Sequence, residues 1–236
     1  MGIFQNIFSK PTTSAPEVIH SEELEQYKIN LNKVTINLTK STGVQFDNLK
    51  SKVKLVLDYS GSMSDLYSIG TVQKVINKIL PLALKFDDDG ELDCYLFSNG
   101  CKTIQSCTEI NYRNYVTNIV QKAGFRMGGT EYAPVLKKIH ESDTKNIPTF
   151  TIFITDGDNS DKPETDNIVR AMSTDNGFVM FIGIGNDDFK YLSKLDNLSG
   201  RPIDNTGFTV FSNIETVDEN TLYTMLLNEY AAWLKR

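Results

Sequence analysis

The side chains best suited to chemistry are Asp58, Ser60 and Ser62, which alternate with Tyr59 and Gly61 directly after the apolar run Val53-Lys54-Leu55-Val56-Leu57. In an extended turn alternate side chains share a side, so one carboxylate and two hydroxyls can converge there, and Gly61 relieves crowding between them. Two other loops offer oxygens. Met127-Gly128-Gly129-Thr130 would bring a hydroxyl, its glycines letting the backbone come close, and Thr155-Asp156-Gly157-Asp158 would bring a second carboxylate. A donor set made of oxygen, without His or Cys, favours Mg2+, Mn2+ or Ca2+ over zinc. The coordination shell these oxygens form is unfinished, so an acidic group from another molecule could complete it.

Such a site needs elements that end at the same edge. The apolar run at 53–57 enters a Gly/Ser turn and then a helical pattern through Phe86. Strands follow at 91–98 and 102–106, helices at 111–123 and 132–140, a strand at 149–154, a helix at 163–172, strands at 178–184 and 208–211, and a terminal helix at 218–235. Parallel strands need crossover connections, which helices supply, so the alternation predicts a doubly wound α/β fold with helices on both faces. In such sheets ligands gather beyond the carboxyl ends of the strands, where the three oxygen-bearing loops fall.

Residues 1–21, rich in Pro, Thr and Ser, read as a flexible tail, and 22–50 as an extension. Within that extension 22–29 suggests a helix, and the alternation at 33–39 suggests a half-exposed edge strand. The main domain is then 51–236.

Bulk properties narrow the function. With a net charge of -6 and scattered Lys and Arg, the chain has no basic face for nucleic acid or an anionic membrane. Its longest apolar stretches are strand-sized, well short of the ~20 residues that span a bilayer, and the start lacks a secretion-signal pattern. Three cysteines without C-x-x-C spacing and two histidines argue against a zinc or disulfide framework, and a reducing cytoplasm is the simpler setting. Asp87-Asp88-Asp89-Gly90 would need an acid or amide at Lys85 to be a calcium loop, so it reads as a helix end and turn.

Asp58-Tyr59-Ser60-Gly61-Ser62, Gly129-Thr130 and Thr155-Asp156-Gly157, in this order, resemble the metal-ion-dependent adhesion site of von Willebrand factor A (vWA) domains. The resemblance covers about residues 53–236. It implies that Ser60, Ser62 and Thr130 supply hydroxyl ligands and that Asp58 and Asp156 bind directly or through water. It also implies a six-stranded sheet with one short antiparallel edge strand, assigned to 102–106. The stretches 82–90 and Gly128-Gly129-Thr130-Glu131-Tyr132-Ala133-Pro134 are similar to the intracellular bacterial branch associated with tellurium and toxic-cation resistance, with copine A domains as eukaryotic relatives. The function implied is non-enzymatic: binding of a protein ligand whose Asp or Glu reaches a Mg2+-type ion, in the cytoplasm, within a chemical-stress response.

Tyr59, Met63, Gly129 and Asp158 are the expected partner contacts, with simple packing under the loops as the competing reading for Tyr59, Met63, Tyr67 and Tyr132. Asp58 and the serines could instead cap a helix, although Thr130 and Asp156 would then share no reason for their positions. A Mg-dependent phosphoryl-transfer enzyme with Asp58 as nucleophile is the alternative of another class, weakened by Ser60 where the common arrangement needs a second acid. A Ser60 hydrolase would need a base, and His140 has no evident acidic orienter in the sequence. A structural interaction domain with an unused metal site is the remaining alternative.

Overall fold

The computed structural model describes residues 15–143 and 145–236, with side chains from residue 22 onward. Six strands form one sheet: β1 (Lys52–Asp58), β2 (Leu92–Phe97), β3 (Cys101–Cys107), β4 (Thr149–Thr155), β5 (Gly177–Ile184) and β6 (Thr206–Phe211), in the order β3-β2-β1-β4-β5-β6. All neighbours are parallel except β3, which runs antiparallel to β2 at one edge. The doubly wound α/β expectation holds, including the antiparallel edge strand. The composition of each strand explains its place. β4 is buried at every residue and β1 and β5 at all but their first, as strands covered on both faces must be, whereas β3 exposes Lys102, Thr103 and Gln105.

Seven helices accompany the sheet among the described residues: α1 (Ala15–Thr42), α2 (Ser64–Ser68), α3 (Thr71–Phe86), α4 (Ala133–Glu141), α5 (Lys162–Met172), α6 (Lys190–Asp196) and α7 (Glu219–Leu234). On one face Leu55, Leu57 and Ile152 pack with apolar residues of α1, α3 and α7; on the other Val56, Phe153 and Phe181 pack with those of α4, α5 and α6. The two-residue period of the strands divides the sequence between these two cores. Phe150 stacks on Tyr230 of α7 with ring centroids 4.4 Å apart.

Three expectations change. Residues 33–39 are part of α1, not an edge strand, because the buried positions Leu24, Tyr27, Leu31, Val34 and Leu38 follow a helical period. Ile36, which supplied the apparent alternation, is 48% exposed. The helix also begins within the expected tail, at Ala15, while residues 1–14 lie outside the described residues. Within 111–123 the regular structure is only a π-helical turn at Val116–Val120, bounded by left-handed Asn114 (φ 60°) and Gly124 (φ 64°). Conversely α6 was not anticipated; a helix this short, burying Tyr191, Leu192 and Leu195, leaves little periodicity to read.

Strand order reverses between β1 and β4, where connections leave to opposite sides and open a crevice at the carboxyl ends. Asp58 ends β1, and Asp156 follows β4 directly.

Candidate metal centre

The pairing of Leu57 with Ile154 brings the next residues, Asp58 and Thr155, side by side. Asp58 is fully buried (0% exposed). Its Oδ1 accepts the backbone N–H of Ser60 at 2.8 Å, and its Oδ2 accepts the Thr155 hydroxyl at 2.6 Å. The oxygens then continue outward. Ser60 Oγ lies 3.0 Å from Ser62 Oγ, which donates to Asp156 Oδ1 at 2.8 Å. Asp58, Ser60, Ser62 and Asp156 thus form one hydrogen-bonded line running from the buried end of β1 to the open crevice.

The loop carrying Thr130 is fixed from below. Ser60 and Gly128 form an isolated parallel bridge, and Gly61 N–H donates to the Gly128 carbonyl at 3.0 Å. Asn99 Oδ1 accepts the Gly129 N–H at 2.7 Å. A Cβ on Gly128 would come within 2.4 Å of that same Oδ1, so glycine is what permits the close approach. The carbonyl of Thr130 accepts the Ser160 N–H at 2.9 Å, which joins this loop to the one after β4. Thr130 therefore lies in the backbone frame shared by both loops.

A further shell holds the loops. Tyr67 donates its hydroxyl to the Asp58 carbonyl at 2.9 Å, and Tyr132 donates to the Gly157 carbonyl at 2.6 Å. Asp161 accepts the N–H groups of Tyr132 (3.0 Å) and Ala133 (2.8 Å) at the start of α4. Sequence reasoning assigned no role to Asn99 or Thr155. Thr155 sits inside the quoted Thr-Asp-Gly motif, which was the one available signal; Asn99 acts across loops, so nothing local marks it.

Burial is the main reason that Asp58 is pushed up to about 6; the bonds from Thr155 and Ser60 pull it down, and the Asp156 charge adds to the rise. Asp156 is likewise raised, by burial first, with the Ser62 bond opposing and Asp187 reinforcing. Among the described residues neither carboxylate has a Lys or Arg ion-pair partner. Two poorly solvated carboxylates with adjacent hydroxyls and no counter-charge suit a hard divalent cation. Among the described residues no three His, Cys, Asp or Glu side chains group to hold a metal by themselves, so an ion here would depend on the hydroxyls.

The expected partner contacts divide. Gly129 and Asp158 are exposed, the latter paired with Lys162. Met63 (0% exposed) and Tyr59 (8%) are instead buried beneath the loop, Tyr59 packing edge-on against Tyr67 at 5.0 Å between ring centroids. Tyr67 and Tyr132 are buried too. These four side chains are packing, and the surface beside the site comes from Ser62, Met127, Gly129 and Asp158. His140 does have an acidic neighbour, Asp175, at 2.5 Å, but the pair lies near the amino end of β5, whereas Ser60 follows the carboxyl end of β1, at the opposite end of the sheet's strands. Cys94 and Cys107 are buried, Cys101 is half-buried, and all three are free; burial pushes each thiol up.

No helix among the described residues is long and apolar enough to cross a membrane. The chain is 36% identical over 197 residues to the uncharacterized protein YcbR of Bacillus subtilis (strain 168), covering 81% of this chain and 80% of that one. Proximal thread matrix protein 1 of the mussel byssus superposes with a TM-score of 0.57 at 17% identity, over 78% of this chain and 48% of that one; the chain spans about half of that protein's length. Manganese-loaded TRAP of Plasmodium vivax superposes with a TM-score of 0.54 at 17% identity, over 75% of this chain and 74% of that one. At such identities the superpositions speak for the fold. The family model described as the vWA found in the TerF C terminus matches residues 50–236, and the chain belongs to this vWA-TerF-like family.

Proposed function

We propose that this chain is a non-enzymatic, divalent-cation-dependent protein-binding domain. Asp58, Ser60, Ser62, Thr130 and Asp156 would hold the ion. When bound, the ion supplies a Lewis-acid position for an anionic oxygen, and a partner Asp or Glu is the group that fits. The observation that carries this reading is the unbroken line Asp58–Ser60–Ser62–Asp156 at the sheet's reversal point, with no basic residue paired to either carboxylate. Mg2+ is the preferred ion, with Mn2+ and Ca2+ as competitors, because the donors are hard oxygens. The manganese-loaded state of the TRAP relative supports a divalent ion on this fold.

Family membership further supports a role in bacterial tellurium or chemical-stress resistance, in the cytoplasm. The phosphoryl-transfer alternative fares less well. Both Asp58 oxygens are engaged in hydrogen bonds in a fully buried position, which suits ligation or support of a ligand better than attack on a phosphorus atom.

Calorimetric titration of Mg2+, Mn2+ and Ca2+ tests the site. Binding in wild type, and its loss in Asp58→Ala and in the exposed Ser62→Ala, is expected; unchanged affinity in both variants would falsify the assignment. Turnover of a phosphate ester that depends on Asp58 would replace the binding reading with the enzymatic one.

A further inference from the structure

Asparagine is followed by glycine twice in the sequence, at 99–100 and at 176–177. This dipeptide carries a reaction of its own. The glycine nitrogen can close a five-membered ring on the asparagine Cγ, because no side chain hinders it and the glycine backbone reaches the required conformations readily. The two copies stand in different surroundings. Gly177 begins β5 in register with Thr149, and the Asn176 carbonyl accepts the Thr149 N–H at 2.8 Å, so ring closure there must break into the sheet. The Asn176 side chain is also held, donating to the Lys145 carbonyl and accepting from Arg236 at 3.2 Å. Asn99, in contrast, is exposed in the turn 98–100 between β2 and β3, and a Cβ on Gly100 would meet nothing within 4 Å.

We propose that Asn99 is a site of spontaneous deamidation, through which the chain loosens the loop that carries Thr130. The Gly100 nitrogen attacks Asn99 Cγ and forms the N–Cγ bond; the Cγ–Nδ2 bond breaks, and Nδ2 leaves as ammonia with the proton that Gly100 gives up. Water, the co-reactant, then opens the resulting imide at either carbonyl. Opening at Cγ leaves aspartate in a normal chain. Opening at the backbone carbonyl leaves isoaspartate, in which the main chain runs through Cβ and Cγ and is one carbon longer. The fold assists the first step. Gly129 N–H donates to Asn99 Oδ1 at 2.7 Å, the oxygen on which negative charge develops during attack, so this bond stabilises that charge.

The same turn holds the loop. Glu131 N–H donates to the Ser98 carbonyl at 2.9 Å, Ser98 Oγ donates to the Arg126 carbonyl at 3.2 Å, and Asn99 accepts from Gly129 between them. Aspartate keeps an acceptor for Gly129 and makes that bond charge-assisted. Isoaspartate inserts a carbon into the support itself, where the Asn99 side chain already fills the space beside Gly128 and Gly129, so the Gly129 bond is lost. The loop of the candidate metal centre then keeps its two Ser98 tethers and loses the one nearest Thr130.

The full chain is incubated at mildly alkaline pH and digested, its peptides are resolved by mass spectrometry, and isoaspartate is identified by isoaspartyl methyltransferase labelling. Asn99 is expected to convert about tenfold faster than Asn176, the factor implied by breaking a sheet hydrogen bond at the latter. Gly100→Ala, which the open space accommodates, should bring Asn99 down to the rate of Asn176 or below it. Conversion at Asn99 no faster than at Asn176, or unaffected by Gly100→Ala, would overturn the site. In the chromatographically separated isoaspartate fraction the Gly129 amide signal in nuclear magnetic resonance should move to its position in Asn99→Ala; a signal unchanged from the fresh chain would overturn loosening of the loop. One arm rests on the function proposed above: Mg2+ affinity of that fraction should fall about fivefold, as for Asn99→Ala. Equal affinity in the fresh chain and the isoaspartate fraction would overturn the consequence for the ion. A fresh chain that does not bind Mg2+ removes the metal reading instead, and the peptides and the Gly129 signal still decide the modification.

Discussion

At the scale of single residues the site depends on side chains that touch no ligand-binding oxygen as much as on those that supply one. Asn99 is the clearest case: one carbonyl oxygen both accepts the Gly129 N–H and occupies the space a Gly128 side chain would need. Gly128→Ala is expected to expel that side chain, cost the hydrogen bond, and weaken Mg2+ binding about fivefold, as loss of roughly 1 kcal/mol of loop order implies. Asn99→Ala should weaken binding similarly, because it loses the same bond. The double variant should then be no weaker than either single one, since both changes remove one interaction. Calorimetry on the four proteins checks this, and strictly additive losses would show that the two residues act separately.

At the scale of elements the unexpected feature is α1. A seven-residue window at 33–39 contains alternating apolar residues, and only a window long enough to include Leu24, Tyr27 and Leu31 reveals the helical period. The strands of the sheet were easier to recognise because β1, β4 and β5 are dense apolar runs between turn residues. The helix packs its buried stripe against α3 and α7, with Leu31 and Val34 inside the same apolar cluster as Leu55 and Tyr230. If α1 is integral to the domain, Leu31→Ala should destabilise the whole chain by about 2–5 kcal/mol, in the range for truncating a buried leucine. Urea unfolding followed by far-ultraviolet circular dichroism and by tryptophan fluorescence would report one shared transition; a separate early transition for α1 would instead mark it as an appended helix. Trp233 lies in α7, so its fluorescence reads the element that α1 covers.

At the scale of the whole molecule the candidate metal centre is peripheral to two large cores, so the fold should not need the ion. Chelator is expected to leave the circular dichroism spectrum unchanged. Mg2+ at a hundredfold excess over its Kd should add about 2.7 kcal/mol, raising Tm by roughly 5–10 °C; a chelated protein that unfolds would make the ion structural. By itself, the sequence determined the α/β class and the order of the oxygen-bearing loops, because apolar runs, turn residues and short motifs are local properties of the chain. It also named Asp58, Ser60, Ser62 and Asp156, whose hydrogen-bonded line the fold completes. Only the tertiary structure decided that Tyr59 and Met63 turn inward and that Asn99, Thr155 and Asp161 hold the loops. Each of these depends on which distant segments meet and on which side of a loop is covered, and those are set by packing across the sheet rather than by neighbours in sequence.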